Sequence, residues 1–249
     1  MPMPHPIRAI LTGHTRGLGA ALAELLLDAG ADVLAISRTR NAGLAARHPG
    51  ELQEVELDLA DLTQLTAWLS GGTLSRFVSG SERVLLVNNA GLLAPVGSLA
   101  DQDPAAVARA VSVNVAAPMA LAAAVVQAGA QAAETRIVHI SSGAARNAYP
   151  GWSVYCATKA ALDHHARAVA LDGNRALRIC SVAPGVVDTD MQAEIRGTEL
   201  GRFPMRERFD ALKRDGQLAT PEASARKVVD YLLSDAFGDT PTADVRDLK

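Results

Sequence analysis

The sequence predicts a doubly wound α/β sandwich, a parallel sheet with helices on both faces, built as a single domain over residues 1–249. Three observations carry this. Short apolar runs rich in β-branched residues alternate with longer alanine-rich segments. The runs are continuously apolar, as strands buried on both faces must be. No Pro/Gly/Ser linker, internal repeat or low-complexity tract divides the chain.

Strands are expected at residues 7–11, 32–36, 52–57, 84–87, 136–140 and 177–182, with helices at 20–28, 61–69, 104–131 and 153–171. A last helix is expected over 221–233. Thr220 suits its N-cap, and Pro221 its first position, where a missing N–H costs nothing. Residues 188–219 break the alternation, being polar and charged with no clear periodicity. Ligands of such a fold sit beyond the carboxyl ends of the strands. A long excursion after a strand is therefore read as a substrate lid, with a plain surface insertion as the alternative.

Composition narrows the function. The apolar fraction is 49% and the formal net charge −3, so nothing supplies the basic field of a nucleic-acid binder. A chain of 249 residues buries enough surface to need no disulfide or structural metal. Cys156 and Cys180 have neither a paired motif nor metal-ligand spacing and are expected as buried, reduced thiols of a cytoplasmic protein. Residues 1–6 lack the apolar core of a signal peptide. Residues 116–133 carry no charge, but they are mostly alanine, interrupted by Pro118, Gln127, Gly129 and Gln131. They are expected to lie against the sheet rather than in a membrane.

Thr12-Gly13-His14-Thr15-Arg16-Gly17-Leu18-Gly19 follows the first strand and opens the first helix. Gly13, Gly17 and Gly19 allow a tight turn and a close backbone approach to a pyrophosphate, and the N-terminus of the helix that this turn opens, with Leu18 beside it, offers unpaired N–H groups to it. In this strand–turn–helix setting the pattern reads as a Rossmann-type dinucleotide site. The second strand ends in Ile36-Ser37-Arg38, without the carboxylate that an NAD site places there to meet the ribose. Arg38, with Arg16 in the turn, supplies forked donors for a 2′-phosphate, which favours NADP(H). Asp58, before Leu59 at the end of the third strand, either accepts from the adenine amino group or serves as a turn or cap residue. Asn88-Asn89-Ala90-Gly91 follows the fourth strand; its small residues admit a cofactor and its asparagines lock the turn.

Tyr155 and Lys159 stand four residues apart in a helical run, hence on one face and one turn apart. A phenol with a reference pKa of about 10 is a poor acid or base at neutral pH, and a neighbouring ammonium lowers it. Ser142, just beyond the fifth strand, offers a hydroxyl to a carbonyl oxygen gaining charge. Asn114 interrupts an otherwise apolar helix, where it is placed to hold a water behind the lysine. Each residue has an ordinary alternative as a surface, cap or turn residue; the four together, beside a dinucleotide turn, point to catalysis.

In this order and spacing, Thr12-Gly-x-x-x-Gly17-x-Gly19, Asp58, Asn88-Asn-Ala-Gly91, Asn114, Ser142, Tyr155-x-x-x-Lys159 and Pro184-Gly185-x-x-x-Thr189 closely resemble the short-chain dehydrogenase/reductase family. The match covers nearly the whole chain, apart from the first few residues and the segment after Asp190. The resemblance implies that Tyr155 is the general acid/base. It implies that Lys159 lowers the Tyr155 pKa and binds the nicotinamide ribose, that Ser142 polarises the carbonyl, and that Asn114 supports a proton relay. Pro184, Gly185, Val187 and Thr189 would lie along the nicotinamide. Within the family the chain is most similar to the sepiapterin reductase and benzil reductase branch, through Ile36-Ser37-Arg38, Ser142-Gly143-Ala144-Ala145 and a C-terminus lacking a glycine-rich closing strand.

The expected function is NADP(H)-dependent reduction of a ketone or diketone to an alcohol. Tyr149, Trp152, Met191 and residues 194–209 are candidate substrate contacts, although core packing explains Tyr149 and Trp152 equally well. Two alternatives stand beside this. A 3-oxoacyl thioester reductase would need a basic surface, for which Arg196, Arg202, Arg206 and Arg208 are available. A non-catalytic NADP(H) redox sensor would have no use for the catalytic set. A homodimer or homotetramer through the alanine-rich helices is implied by the resemblance. No metal, nucleic-acid or membrane partner is expected, and His14 has no function that the pattern explains.

Overall fold

The computed structural model describes residues 7–248; the reading of residues 1–6 as lacking a signal-peptide core lies outside them. Seven strands form one parallel sheet: β1 (Ile7–Thr12), β2 (Asp32–Ser37), β3 (Leu52–Glu56), β4 (Arg83–Asn88), β5 (Glu134–Ile140), β6 (Leu177–Ala183) and β7 (Thr242–Asp244). Their order is β3-β2-β1-β4-β5-β6-β7. The sequence reading anticipated six. β7 is a Thr-Ala-Asp tripeptide with no apolar run, so only its pairing with β6, Ser181 opposite Thr242 to Ala183 opposite Asp244, reveals it. The C-terminus thus does close the sheet, though with a strand that contains no glycine.

The helices are α1 (Gly17–Asp28), α2 (Ala42–Arg47), α3 (Leu62–Ser70), α4 (Thr73–Val78), α5 (Pro104–Val111), α6 (Ala117–Ala128), α7 (Ser153–Ala170), α8 (Asp190–Gly197), α9 (Arg206–Arg214) and α10 (Pro221–Leu233). On one face of the sheet α1 and α10 bury Leu22, Leu26, Val228 and Leu232 against Ala9, Leu11 and Val138. On the other, α3, α4, α6 and α7 bury Leu65, Phe77, Leu121, Val125 and Ala166 against Ile10, Leu34 and Leu86. Leu121 and Val125 are completely buried, and burying such a side chain contributes about 1.5–3 kcal/mol relative to leaving it in water. The central strands are therefore apolar towards both layers, which is why their sequences run continuously apolar instead of alternating.

The long alanine-rich helix expected over 104–131 is interrupted and ends at Ala128. A π-helical turn, Ser112–Ala116, joins α5 to α6 and carries Asn114. The span Pro104–Ala128 is long and apolar enough to cross a membrane by length and composition, yet its α6 face packs on the sheet. Thr220 caps α10 by accepting from the Ala223 N–H at 3.1 Å, with Pro221 at the first position, as the sequence predicts.

The excursion 188–219 is not featureless. It holds α8 and α9, and its ends are closed by a parallel bridge between Val187 and Ala219 and by the Lys213–Asp188 ion pair. Phe203 and Phe209 anchor it in a third apolar cluster with Leu93, Trp152 and Ile195, beyond the carboxyl ends of the strands.

Candidate active site

β1 and β4 lie side by side where the strand order reverses, so the turns that follow them meet at the point where doubly wound sheets take their ligands. Gly13 adopts φ 74°, a left-handed conformation that suits glycine, and its N–H reaches the Ile36 carbonyl at 2.9 Å. The Asn89 amide donates to the carbonyls of Thr12 (3.0 Å) and Gly13 (3.1 Å), while Thr12 Oγ1 accepts from the Asn89 and Ala90 N–H groups. The expected locking of this turn by an asparagine side chain is therefore carried by Asn89. Asn88 is buried beneath it and donates to the Pro118 carbonyl.

These turns open on a groove of about 620 Å³. Its walls include Gly13, Arg16, Gly17, Leu18, Gly19, Ser37, Arg38, Asp58, Leu59, Asn89, Ala90, Gly91 and Thr189, each of them a cofactor-binding candidate from the sequence. A Cβ on Gly13 would press on Ala90, and one on Gly19 would overlap the Gly13 carbonyl oxygen, so the glycines keep this cradle clear. The residues present thus fit a dinucleotide. Arg38 is exposed and has no hydrogen-bond or ion-pair partner among the described residues. Arg16 pairs with Asp190 at 3.0 Å, both side chains largely in solvent. Asp58 shows the turn reading: one oxygen accepts from the Ala60 N–H at 3.0 Å and the other from Arg109 at 2.9 Å. Arg109, which the sequence reading did not single out, also lines the groove.

A second cavity of about 540 Å³ shares Leu18, Asn89, Gly91, Thr189 and Met191 with the groove. Ser142, Tyr149, Trp152, Tyr155, Lys159, Pro184, Gly185 and Val187 all line it. Of residues 194–209 only Ile195, Met205, Arg208 and Phe209 line either cavity, and of the four catalytic candidates only Asn114 lines neither. Its side chain is spent on the Leu92 backbone, through bonds of 2.8 Å to the N–H and carbonyl, and on Thr158 Oγ1 at 3.1 Å. A Cβ on Gly91 would nonetheless touch both Asn114 Oδ1 and Lys159 Nζ, so the two groups flank the same point of the chain.

Ser142 stands two residues beyond the end of β5 and caps a short turn by accepting from the Ala144 N–H. Tyr155 and Lys159 rise from α7, both nearly buried. Lys159 Nζ donates to the Ile140 carbonyl at 2.7 Å and lies 5.8 Å from the centre of the Tyr155 ring. Burial lowers the Lys159 ammonium to about 8, with the Asp163 carboxylate pulling the other way. Burial also raises the Tyr155 phenol to about 12, against the pull of the Ser142 hydroxyl. This corrects the expectation of a Tyr155 pKa brought towards neutrality: desolvation disfavours the phenolate more than its surroundings stabilise it.

Two further buried side chains, Asp163 and His139, support the site. Asp163 accepts from Ser141 (2.6 Å), Ser181 (2.7 Å) and Arg146 (3.1 Å), tying the end of β5, the strand β6 and the turn after Ser142 together. Its spacing was a signal, since Tyr155, Lys159 and Asp163 occupy one helical face at successive fourth positions. His139 on β5 joins Asn88 and His165, each at 3.1 Å, between the sheet and α7. His14 is structural too: fully buried, it meets Glu54 at 2.6 Å, and Glu54 also accepts from the Asn41 N–H.

Trp152 is 4% exposed and stacks flat on Phe203, with centroids 4.6 Å apart, while it meets the Tyr155 ring in a T-shaped contact at 5.6 Å. It is thus both core and cavity wall, which dissolves the choice left open by the sequence. Asp244, the last residue of β7, and Arg246 just beyond it also line this cavity. Cys156 is half-buried and Cys180 buried, and both are free thiols; only Cys180 matches the expectation of full burial.

The short chain dehydrogenase family profile matches residues 8–200. The chain belongs to that family. Members use a nicotinamide cofactor, and this chain is an oxidoreductase acting on carbonyl or CH–OH groups. It is 34% identical to benzil reductase ((S)-benzoin forming) of Bacillus cereus, over 92% of this chain and 94% of that protein. It is 32% identical to sepiapterin reductase of Xenopus tropicalis, over 93% of each. These relatives bear out the branch read from the sequence. A solved short-chain dehydrogenase/reductase from Burkholderia vietnamiensis is 56% identical, covers 99% of this chain and 100% of its own, and superposes with a TM-score of 0.72.

Proposed function

We propose that the chain is an NADP(H)-dependent carbonyl reductase that converts a ketone or diketone to an alcohol. The observation that carries the reading is the convergence of Ser142, Tyr155 and Lys159 on a cavity that shares five wall residues with the glycine-lined groove. Gly13, Gly17, Gly19 and the Asn89–Gly91 turn would hold the dinucleotide. Arg38, without a partner among the described residues, and Arg16, able to exchange Asp190 for a phosphate, favour the 2′-phosphorylated form. When bound, the reduced nicotinamide supplies the hydride.

The protein's part is placement and proton supply. Ser142 Oγ donates to the substrate carbonyl and Tyr155 shares that oxygen. With its phenol held near 12, Tyr155 enters reduction fully protonated and gives its proton to the forming alkoxide. Lys159, held in place by the Ile140 carbonyl, stabilises the phenolate left behind. Asn114 and Lys159, flanking Gly91, mark the side from which that proton is restored. Trp152, Phe209 and Met191 give the cavity an apolar wall suited to an aryl or alkyl carbonyl, in keeping with the names of the benzil and sepiapterin reductases.

The thioester alternative loses support because Arg196, Arg202 and Arg206 are engaged by Gln192, by the Val96 carbonyl, and by the Thr198 carbonyl and Asp210, which leaves Arg208 alone of the four without a partner among the described residues. The sensor alternative leaves the buried Tyr155–Lys159 pair without a purpose. Residues 188–219 act as the lid of the cavity in this reading. A second copy packs on the alanine-rich α5, α6 and α7 helices, where Val111 and Leu171 are exposed, and the free thiols suit a cytoplasmic enzyme. The test is Tyr155→Phe: reduction of benzil by NADPH is expected to fall at least a thousandfold while NADPH still binds. Undiminished turnover would remove Tyr155 from the mechanism.

A further inference from the structure

Four charged side chains line the cavity that holds Ser142 and Tyr155: Lys159, Arg208, Asp244 and Arg246. Three are already committed. Lys159 donates to the Ile140 carbonyl. Arg246 grips Asp244 through two hydrogen bonds, Nε to Oδ1 at 2.9 Å and Nη2 to Oδ2 at 2.7 Å, so that pair carries no net charge to a ligand. Arg208, exposed on α9, has no side-chain hydrogen bond or ion pair among the described residues. The other arginines of the excursion, Arg196, Arg202, Arg206 and Arg214, each have a partner.

The setting makes this free guanidinium more than a solvated side chain. Arg208 sits beside Phe209, whose ring lies 5.4 Å from Trp152, and Trp152 in turn faces Tyr155. A flat aryl ketone seated along this aromatic wall would have its reacting carbonyl at Tyr155 and its far end towards α9. The lining as a whole is net positive, and a guanidinium fork matches a carboxylate bidentately.

We infer that Arg208 forms an anion-recognition subsite of the substrate cavity, selecting carbonyl compounds that carry a carboxylate on the side away from the reacting carbonyl. This rests on the reading of the cavity as the carbonyl-reducing site and adds the substrate class to it.

The test compares benzil with 4-carboxybenzil in steady-state reduction by NADPH, for the wild type, Arg208→Leu and Arg208→Lys. The wild type is expected to favour the carboxylate at least tenfold in kcat/KM, mainly through KM. Arg208→Leu should abolish that preference, Arg208→Lys should retain part of it, and 0.5 M salt should shrink it (about 4 Å Debye length by interpolation). No preference in the wild type, or one that survives Arg208→Leu, overturns the subsite. Failure to reduce either compound would count against the carbonyl-reductase reading alone. The subsite is then decided by calorimetric titration of the NADPH-loaded proteins with biphenyl-4-carboxylate and biphenyl-4-carboxamide. Acid binding at least tenfold tighter, lost in Arg208→Leu, supports it; equal binding of acid and amide refutes it.

Discussion

Lys159 and Tyr155 share one face of α7, with the ammonium 5.8 Å from the phenol ring centre, yet burial drives their ionisations in opposite directions. Lys159 titrates near 8 and Tyr155 near 12, so across the neutral range the lysine is the group of this pair that changes charge. As pH rises through about 8 the ammonium is lost, and with it the charge that steadies the phenolate formed when Tyr155 gives up its proton. With NADPH and ketone saturating, kcat for reduction should therefore hold level below pH 7 and fall about tenfold per unit above 8.5. In Lys159→Arg the guanidinium stays charged, so whatever activity remains should lack that alkaline limb. A limb of unchanged position in the variant would assign it to another group.

Gly19 faces the Gly13 carbonyl so closely that a Cβ there would overlap the oxygen and also come within 2.5 Å of Asn89 Nδ2. The obstructing atoms are mostly backbone, held by the Asn89 bonds, and cannot yield cheaply. Gly19→Ala should lose more than about 3 kcal/mol of stability, or fold with the turn displaced and NADPH binding abolished. Denaturant melts with and without NADPH distinguish the two. Gly30→Ala is the control for glycine replacement: nothing lies within 4 Å of its Cβ position, and its positive φ, which Gly19 does not share, adds backbone strain without a clash.

Arg38 and Arg16 are expected to contribute unequally to cofactor choice, because Arg38 has no partner among the described residues while Arg16 is engaged by Asp190. Arg38→Asp removes a donor for the 2′-phosphate and restores the carboxylate that meets an unphosphorylated ribose. The NADPH-to-NADH ratio of kcat/KM should fall at least a hundredfold. Arg16→Ala should lower it by less than Arg38→Asp does, since in the free protein that guanidinium is shared with Asp190. Kinetics with both cofactors check this, and an unchanged ratio in Arg38→Asp would detach Arg38 from the 2′-phosphate.

Most of the sheet was legible because strands buried on both faces leave an unmistakable apolar run, as in Val84–Leu85–Leu86–Val87. The glycine turn and the Tyr155–Lys159 pair were legible because their spacing is dictated by backbone geometry. What escaped depends on partners distant in sequence. β7 exists through pairing with β6, and α2 and α4 are too short for periodicity to show. The π turn at Asn114 gave only the hint of one polar residue in an apolar helix. The pKa of Tyr155 depends on how deeply α7 and the aromatic cluster bury it, which no local pattern records. Asp244 and Arg246 reach the cavity from the far end of the chain, and their spacing resembles any charged tail.

His139 and His165 offer a separate check on the core beneath the site. Asn88 Nδ2 also donates to the Pro118 carbonyl and so faces His139 Nδ1 as a donor; that nitrogen accepts, and Nε2–H is left to donate to His165. The network therefore needs His139 neutral, and burial, reinforced by the charges of His165 and Lys159, lowers its pKa from 6.5 to about 3. Below pH 6.5 the unfolded chain takes up a proton that the folded chain refuses, so the stability this group confers at neutral pH is lost on acidification towards 3. Between pH 7.5 and 5 the loss should be on the order of 2 kcal/mol. Replacing the imidazole in His139→Gln should destabilise the protein at pH 7.5 but remove this titration, so the gap to the wild type should narrow by that amount at pH 5. Urea melts of both proteins at the two pH values measure it; a gap that stays constant would mean that the acid sensitivity of the fold arises elsewhere.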